Sequence, residues 1–535
     1  MKQIEIPLIK DRKASYRFFE MLPGMLSWTI LILPFVIALT NVRLAAYLMI
    51  GYLLLWFLKA IALNIRVIQG FKTLKQHEKI KWQHLIDDVV LGKVTELKAP
   101  KWHTTNIKRI VDTPNGIHPR DVIHAVIVAT YNEVREVLEP TIGAVLSSDF
   151  DPKKIILLLA YEERGGESVD VQAKQLIEDY KDNFLYAEAV KHPDGMPNEV
   201  IGKGGNITFA GRRLQKIIEQ KGIDPKQVLV TTLDSDNRPH PQYFAGLTYV
   251  FGVCYNPSNL SFQPIPMFTN NIWDVPALMR VIATSNSFWM LVQSLRPHML
   301  RNFSAHAQPL DALIKTDFWS TRTIVEDGHQ FYRSYFAFDG HHEVVPIFLP
   351  IYQDAVLAKG YRRTLKAQFI QMRRWAWGAS DIAYVAHKGF LTKNNMNKTD
   401  ITFKFLRLLE GHISWATSPL ILLYGALLPS LFHSKNLLAV QLPLIASNIE
   451  TIALSTILLS MFLSFKILPP KPARYKNHHN VLMVLQWVLL PVTTICYSSF
   501  AAIYSQTRLM LGRYIGAFDV TEKAVKTDSG TITSL

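Results

Sequence analysis

A chain of 535 residues, 49% of them apolar, is too long for one average domain and is expected to divide into several parts. Its formal net charge of +15 invites a nucleic-acid partner, but the basic residues crowd beside the apolar ends (Lys10, Arg12, Lys13 and Arg17; Arg66 and Lys72; Lys466, Lys471, Arg474 and Lys476), which is the charge pattern of a membrane protein and argues against nucleic acid. Cys254 and Cys496 alone give neither a disulfide framework nor zinc spacing, in keeping with a reducing cytosolic face.

In chain order, "MLPGMLSWTILILPFVIALT" (21–40) and "LAAYLMIGYLLLWFLKAIAL" (44–63) each reach the roughly 20 apolar residues that a spanning helix needs. With "NVR" between them they predict a helical hairpin, read as an anchor because no small-residue cleavage site follows the first. Lys59, near the basic end of the second, can snorkel to the interface. A basic N-terminus inside places the middle of the chain in the cytosol. Three further spans are predicted at about 411–432, 444–467 and 481–505, with Glu450 inside the second of these. Expected boundaries are therefore 1–70 for the anchor, 71–400 for a cytosolic domain, 401–513 for a C-terminal membrane domain of three or four helices, and 514–535 for a partly disordered tail.

From Asp121 onward short apolar runs alternate with helix-like stretches, the pattern of an α/β domain with a mostly parallel sheet. "VIHAVIVAT" (122–130) predicts a buried strand ending at Tyr131, Asn132 and Glu133. "KKIILLLA" (153–160) predicts a second, ending at Glu162 and Glu163, and "KQVLVTTLDSD" (226–236) a third, ending at Asp234 and Asp236. Helices are predicted over 169–183 and 209–222. All three strands deliver polar residues to their carboxyl ends, where ligands bind in open parallel sheets.

Two carboxylates in Asp234-Ser235-Asp236 at such an edge suit a shared Mg²⁺ or Mn²⁺ with positions left for phosphates; the same triplet also suits an ordinary turn. Glu326-Asp327, before a predicted helix, reads either as a cap or as a general base facing an acceptor hydroxyl. "GKGGNITFAGRR" (202–213) is a basic glycine-rich loop leading into a helix, with Lys203 suited to an anion. "QFIQMRRWAWG" (368–378) lies in a predicted interfacial helix, 364–388, in which Gln371, Arg374 and Trp375 share one face.

The order Tyr-Asn-Glu, Lys-Gly-Gly-Asn, Asp-Ser-Asp, Glu-Asp, Gln-x-x-Arg-Trp resembles the membrane-bound family-2 glycosyltransferases, the cellulose, chitin and hyaluronan synthases among them, from about Val122 to Gly378. Gln-x-x-Arg-Trp is the specific element, with a chance expectation of about 0.02 in a chain this long. The resemblance implies a GT-A fold, Rossmann-like, in a cytosolic domain flanked by transmembrane helices, and metal-dependent, inverting transfer of a sugar. The donor would be a nucleotide-diphosphate sugar such as a UDP-sugar, and the product a growing polysaccharide at the cytosolic face of a prokaryotic inner membrane. A single addition to a lipid-linked, polyprenyl-phosphate type of acceptor is the alternative, and a transporter or channel a more distant one.

By the same resemblance Tyr131, Glu133, Glu162 or Glu163, and Lys203 would border the nucleotide, and Asp234 the ribose or diphosphate. Asp236, with Asp234, would ligate the cation; Asp327 would be the base, and Glu326 its support. Gln371 and Arg374 would hold the diphosphate, Trp375 would stack on the acceptor sugar, and Arg333 matches a basic residue common in that helix. Two departures stand out: Val325 where Thr is usual before Glu-Asp, and Glu162-Glu163-Arg164-Gly165 where Asp-Asp-Gly-Ser is usual.

Overall fold

A computed structural model describes residues 4–455, 457–516, 523–526 and 532–533. Three helical runs are long and apolar enough to cross a membrane: α1 (Ala14–Thr40), α2 (Val42–His77) and His478–Met510. Only 28%, 17% and 28% of their most apolar windows is buried within the protein, which leaves apolar surface for lipid. The α1–α2 hairpin turns at Asn41 alone, whose side chain accepts from Leu44 N at 3.0 Å and caps α2.

The other two expected spans do not form single apolar helices. The 411–432 stretch falls on the helix Lys398–Tyr424, whose first half is charged, and on a short helix Leu428–Phe432. The 444–467 stretch falls on the helices Leu437–Ser455 and Ile457–Ile467, on either side of Thr456, which lies outside the described residues. Most of the tail expected to be disordered also lies outside them; of the rest, Val525–Lys526 pairs antiparallel with Ile532–Thr533.

The middle of the chain builds one sheet from β1 (Ile123–Thr130), β2 (Ile155–Glu162), β3 (Tyr186–His192), β4 (Val228–Asp234), β5 (Arg238–Pro239), β6 (Leu260–Met267), β7 (His306–Pro309) and β8 (Glu343–Tyr352). Their order is β3-β2-β1-β4-β7-β6-β8-β5. Strands β3, β2, β1 and β4 are parallel, and β1 and β2 read as continuous apolar runs because helices cover both their faces. Val126, Val128, Leu157 and Leu159 pack on one side, and Ala125, Ile127, Ile156 and Leu158 on the other.

The sheet is mixed, as four of its seven strand pairings are parallel and only β5 and β7 run against the other strands. Strand β7 runs antiparallel to both β4 and β6, and β5 antiparallel to β8, while β6 and β8 are parallel. The cause is the excursion between Asn237 and Ser304, which brings the four-residue β7 back against β4 in reverse. "PIPMFTNNIWDVPALMR" (264–280) lies there, ending β6 and opening the helix Ala277–Ser294.

Helix α3 (Lys203–Lys221) begins at Lys203, so the expected glycine-rich loop is its first turn. The glycines are required by packing: a Cβ on Gly204 would collide with the carbonyl oxygen of Ser320. Helix α4 (Glu326–Ala337) follows β7, and α5 (Tyr361–Ala376) follows β8 and continues in helical turns through Leu391. Helix α6 (Lys398–Tyr424) and α7 (Phe500–Met510) then pack beside α1 and α5. Gln506 ties them together, accepting from Ser27 Oγ at 2.6 Å and donating to His412 O at 2.8 Å, while Ser505 Oγ donates to Arg373 O at 2.7 Å.

Candidate active site

The chain leaves β1 for β2 and β3 on one side, then crosses back to β4 on the other, so the carboxyl ends of β1 and β4 flank a topological switch point. Register brings Thr130 beside Tyr161 and Ala129 beside Asp234, which places Tyr131, Glu162 and Asp234 along one edge. Asn206, in the first turn of α3, clamps this edge by donating to Ala160 O at 2.9 Å and Thr130 O at 3.3 Å.

Glu133 folds back on the end of β1, accepting from Thr130 Oγ1 at 2.7 Å and Tyr131 N at 2.8 Å. Burial works against its charge, but Lys523 and these hydrogen bonds hold its carboxyl below the usual range. Arg164 pairs with buried Glu162 and covers the Tyr131 ring at 4.1 Å, a cation–π contact. Glu163 is not brought to this group: it is exposed, accepts from Asp194 N at 3.1 Å and lies 3.6 Å from Lys191.

Asp234 has both carboxylate oxygens engaged, by Lys203 Nζ at 2.6 Å and by Ser304 Oγ at 2.6 Å. Burial opposes its ionisation, yet Lys203 and Lys523 hold the carboxyl below its ordinary range. Asp236 is buried; its Oδ2 accepts from Asp354 N at 2.9 Å and its Oδ1 from Lys523 Nζ at 2.8 Å. Asp354 Oδ1 is buried without a hydrogen-bond partner, and burial followed by the Asp236 charge pushes that carboxyl up to about 7.

Among the described residues no group of three or more His, Cys, Asp or Glu is arranged to hold a metal ion. Asp236 with the orphaned Asp354 oxygen still offers two hard donors, a set that fits Mg²⁺ or Mn²⁺ when phosphate and water complete the shell.

Glu326 and Asp327 open α4 beneath this edge. Asp327 Oδ2 accepts from Ser304 N at 2.6 Å and Oδ1 from Gly328 N at 2.7 Å. Glu326 is 4% exposed, and burial, then the neighbouring Asp327, push its carboxyl up to about 8. Ser304 adopts a positive φ of 27°, a strained conformation for a residue with a side chain, and in it joins Asp234 to Asp327. Arg333 points away from the site, its Nη1 donating to Glu5 Oε2 at 2.8 Å and its Nη2 to Thr316 O at 2.7 Å.

Gln371, Arg374 and Trp375 of α5 face the same space, a cavity of about 830 Å³. It is lined by Tyr131, Glu133, Glu162, Lys203, Asp234 and Asp236, and by Glu326, Asp327 and Asp354. Trp375 lies 6.2 Å from the Phe268 ring, and Trp289, Trp415 and Trp487 line the same cavity, Trp487 from the apolar His478–Met510 run. Trp377 faces the other way and is buried against Tyr384 and its neighbours, so that side of the helix packs on protein.

Three residues at this site have no sequence signal: Ser304, Asp354 and Lys523. Lys523 comes from the tail, donates to Ser235 Oγ at 2.6 Å as well as to Asp236, and is held by Ala524 N donating to Leu357 O at 3.0 Å. Its burial disfavours the charge, but Asp236, Glu133 and Asp234 raise the ammonium above its ordinary range.

No protein-family model matches the chain, and no curated protein matches it. Among solved structures it is similar to the mannosyltransferase PcManGT from Pyrobaculum calidifontis in complex with GDP-Man and Mn²⁺, at 11% identity and a TM-score of 0.40, covering 84% of this chain and 98% of that one. It is also similar to S. aureus TarS 1–349 in complex with UDP-GlcNAc, at 10% identity and a TM-score of 0.33, covering 77% and 97%. GalNAc-T7 with UDP, GalNAc and Mn²⁺ follows at 10% identity and a TM-score of 0.31, covering 55% of each chain. With identities and TM-scores this low, none of the three establishes kinship with this chain.

Proposed function

We propose that the chain is an inverting glycosyltransferase that moves a sugar from a nucleotide-diphosphate donor, such as a UDP-sugar, to a growing glycan at the cytosolic face of a prokaryotic cell membrane. The observation that carries this reading is the meeting, in one cavity, of the Asp234–Asp236 strand end, the Glu326–Asp327 helix start and the Gln371–Arg374–Trp375 helix face. Residues 71–400 form the catalytic unit in this reading, and the flanking apolar helices anchor it.

The donor's base and ribose lie along Tyr131, Glu133 and Glu162, with Asp234 fixed by Lys203 and Ser304. Breaking the bond between the anomeric carbon and phosphate leaves negative charge on the diphosphate and positive charge on the sugar. Arg374, Gln371 and Lys523 face the leaving group with cationic and hydrogen-bonding groups preset in a partly dry cavity, where they act most strongly. A divalent cation, held by Asp236 with Asp354, would supply further charge neutralisation at the diphosphate. Asp327, fixed by Ser304 N and Gly328 N, accepts the acceptor's hydroxyl proton as that oxygen attacks from the face opposite the leaving group. Glu326, protonated at neutral pH, keeps the two adjacent carboxyls from repelling each other. Trp375 offers an apolar face to the acceptor sugar.

Trp375, Trp415 and Trp487 line one cavity, the last on the apolar His478–Met510 run, and this favours an acceptor that extends toward the membrane, and so a polymer coupled to export. Membranes carrying the protein, incubated with a panel of nucleotide sugars and Mg²⁺ or Mn²⁺, test the reading through nucleotide release and product size together. A ladder of lengthening product is expected. One added sugar on a lipid acceptor would move the reading to single addition, and no release from any donor would end it.

A further inference from the structure

We infer that Glu5 is a positioning residue for sugar transfer, holding the helix that carries Asp327 through the buried Arg333; this rests on the function proposed above. Glu5 precedes the first membrane helix, yet its side chain reaches into the catalytic domain. Its Oε2 accepts from Arg333 Nη1 at 2.8 Å and its Oε1 from Ser320 Oγ at 2.5 Å. The backbone on either side is fixed as well: Tyr384 OH donates to Ile4 O at 2.6 Å and Arg322 Nη1 to Ile6 O at 2.8 Å. Ile6 is buried in the cluster that contains Val325, Trp377 and Tyr384.

These contacts tie three walls of the site to one short segment. Arg333 belongs to α4, whose first turn carries Glu326 and Asp327. Ser320 abuts Gly204, next to Lys203, so closely that no Cβ fits there. Tyr384 follows α5, and on the same helical turn Asp381 receives His329 of α4 at 2.7 Å. The Arg333 side chain is 2% exposed, and among the described residues Glu5 is the one carboxylate paired with it. A buried guanidinium needs that countercharge, so its loss must be met by movement of α4 or entry of water. Movement of α4 shifts Asp327 relative to the sheet edge, where Asp234 and Lys203 keep their own contacts.

The test uses the full-length protein in detergent and compares the wild type with Glu5→Gln and Glu5→Asp. Turnover per folded molecule in Glu5→Gln is expected to fall about 10- to 100-fold, as misplacement of a base does, while the Kd for UDP or GDP stays within about threefold. Backbone amides of residues 326–337 should exchange hydrogen faster, with those of β1 and β2 unchanged, and Glu5→Asp should recover part of both effects. Wild-type turnover in Glu5→Gln, or nucleotide binding lost in proportion to turnover, would overturn the inference. So would unchanged exchange over 326–337. Where Glu5→Gln does not fold, Glu5→Asp is measured in its place: a smaller loss of turnover with faster exchange over 326–337 supports the inference, and wild-type turnover and exchange overturn it. If the wild type uses no donor at all, the functional reading fails, and the exchange data still decide whether Glu5 holds the helix.

Discussion

Lys523 and Asp236 lie 287 residues apart in the chain, and the ammonium of one sits 2.8 Å from Oδ1 of the other. A cation from the tail thus stands against the carboxylate best placed to take a divalent metal. The two must compete when no nucleotide is bound. Lys523→Met is therefore expected to tighten Mn²⁺ binding by about tenfold or more, given the strength of charge interactions a few ångströms apart. Mn²⁺ titration followed by electron paramagnetic resonance reads this, and weaker binding in the variant would contradict it.

Trp375 lines the same cavity as Asp327. In the proposed function, Trp375→Ala removes the acceptor's stacking face and leaves the residues assigned to the nucleotide in place. The acceptor KM should rise about 5- to 20-fold, in line with the loss of one aromatic platform, and the donor KM should change little. Initial rates with each substrate varied in turn separate the two.

Glu326 gives a pH dependence of known sign. Its folded carboxyl is pushed up to about 8 by burial and by Asp327, whereas unfolded Glu titrates near its ordinary value. A raised carboxyl contributes stability that is complete below the unfolded value and is lost as pH rises through the folded one. Tm should therefore decline from about pH 5 to pH 8, by an amount equivalent to a few kcal/mol, and Glu326→Gln should flatten that slope. Thermal unfolding of both proteins across this range is the measurement.

Gly204 has no space for a side chain because the Ser320 carbonyl fills the position. Gly204→Ala is expected to cost about 1–3 kcal/mol of stability, as overpacking does, and to displace the first turn of α3. Lowered Tm with weakened nucleotide binding would fit, because Lys203 lies in the same turn; an unchanged Tm would not.

Strands β1 and β2 are legible in the sequence because parallel strands covered on both faces must be near-continuous apolar runs, and β4 is legible from its Val228–Val230 start and its acidic end. Their polar ends follow, and so does the shared face of Gln371, Arg374 and Trp375, a matter of helical period alone. The first turn of α3 is read as a loop because glycine disfavours helix; the close approach of Ser320, invisible in sequence, outweighs that preference. The reversal of β7 is hidden for a similar reason, since four residues carry no pattern that distinguishes parallel from antiparallel pairing. Ser304, Asp354 and Lys523 reach the site through contacts 23 to 288 residues long, and nothing local marks them. Only the strained backbone of Ser304 betrays its role, once the chain is folded.

The most direct test of sugar transfer at this site is Asp327→Asn, which keeps the shape of the side chain and removes its ability to take a proton. Turnover and donor binding are measured on the same preparation, with the donor that the wild type uses. Transfer should fall about 10²- to 10⁴-fold, the range of general-base catalysis, with the donor Kd within about threefold of wild type. Near-normal transfer by the variant with donor bound would contradict the account.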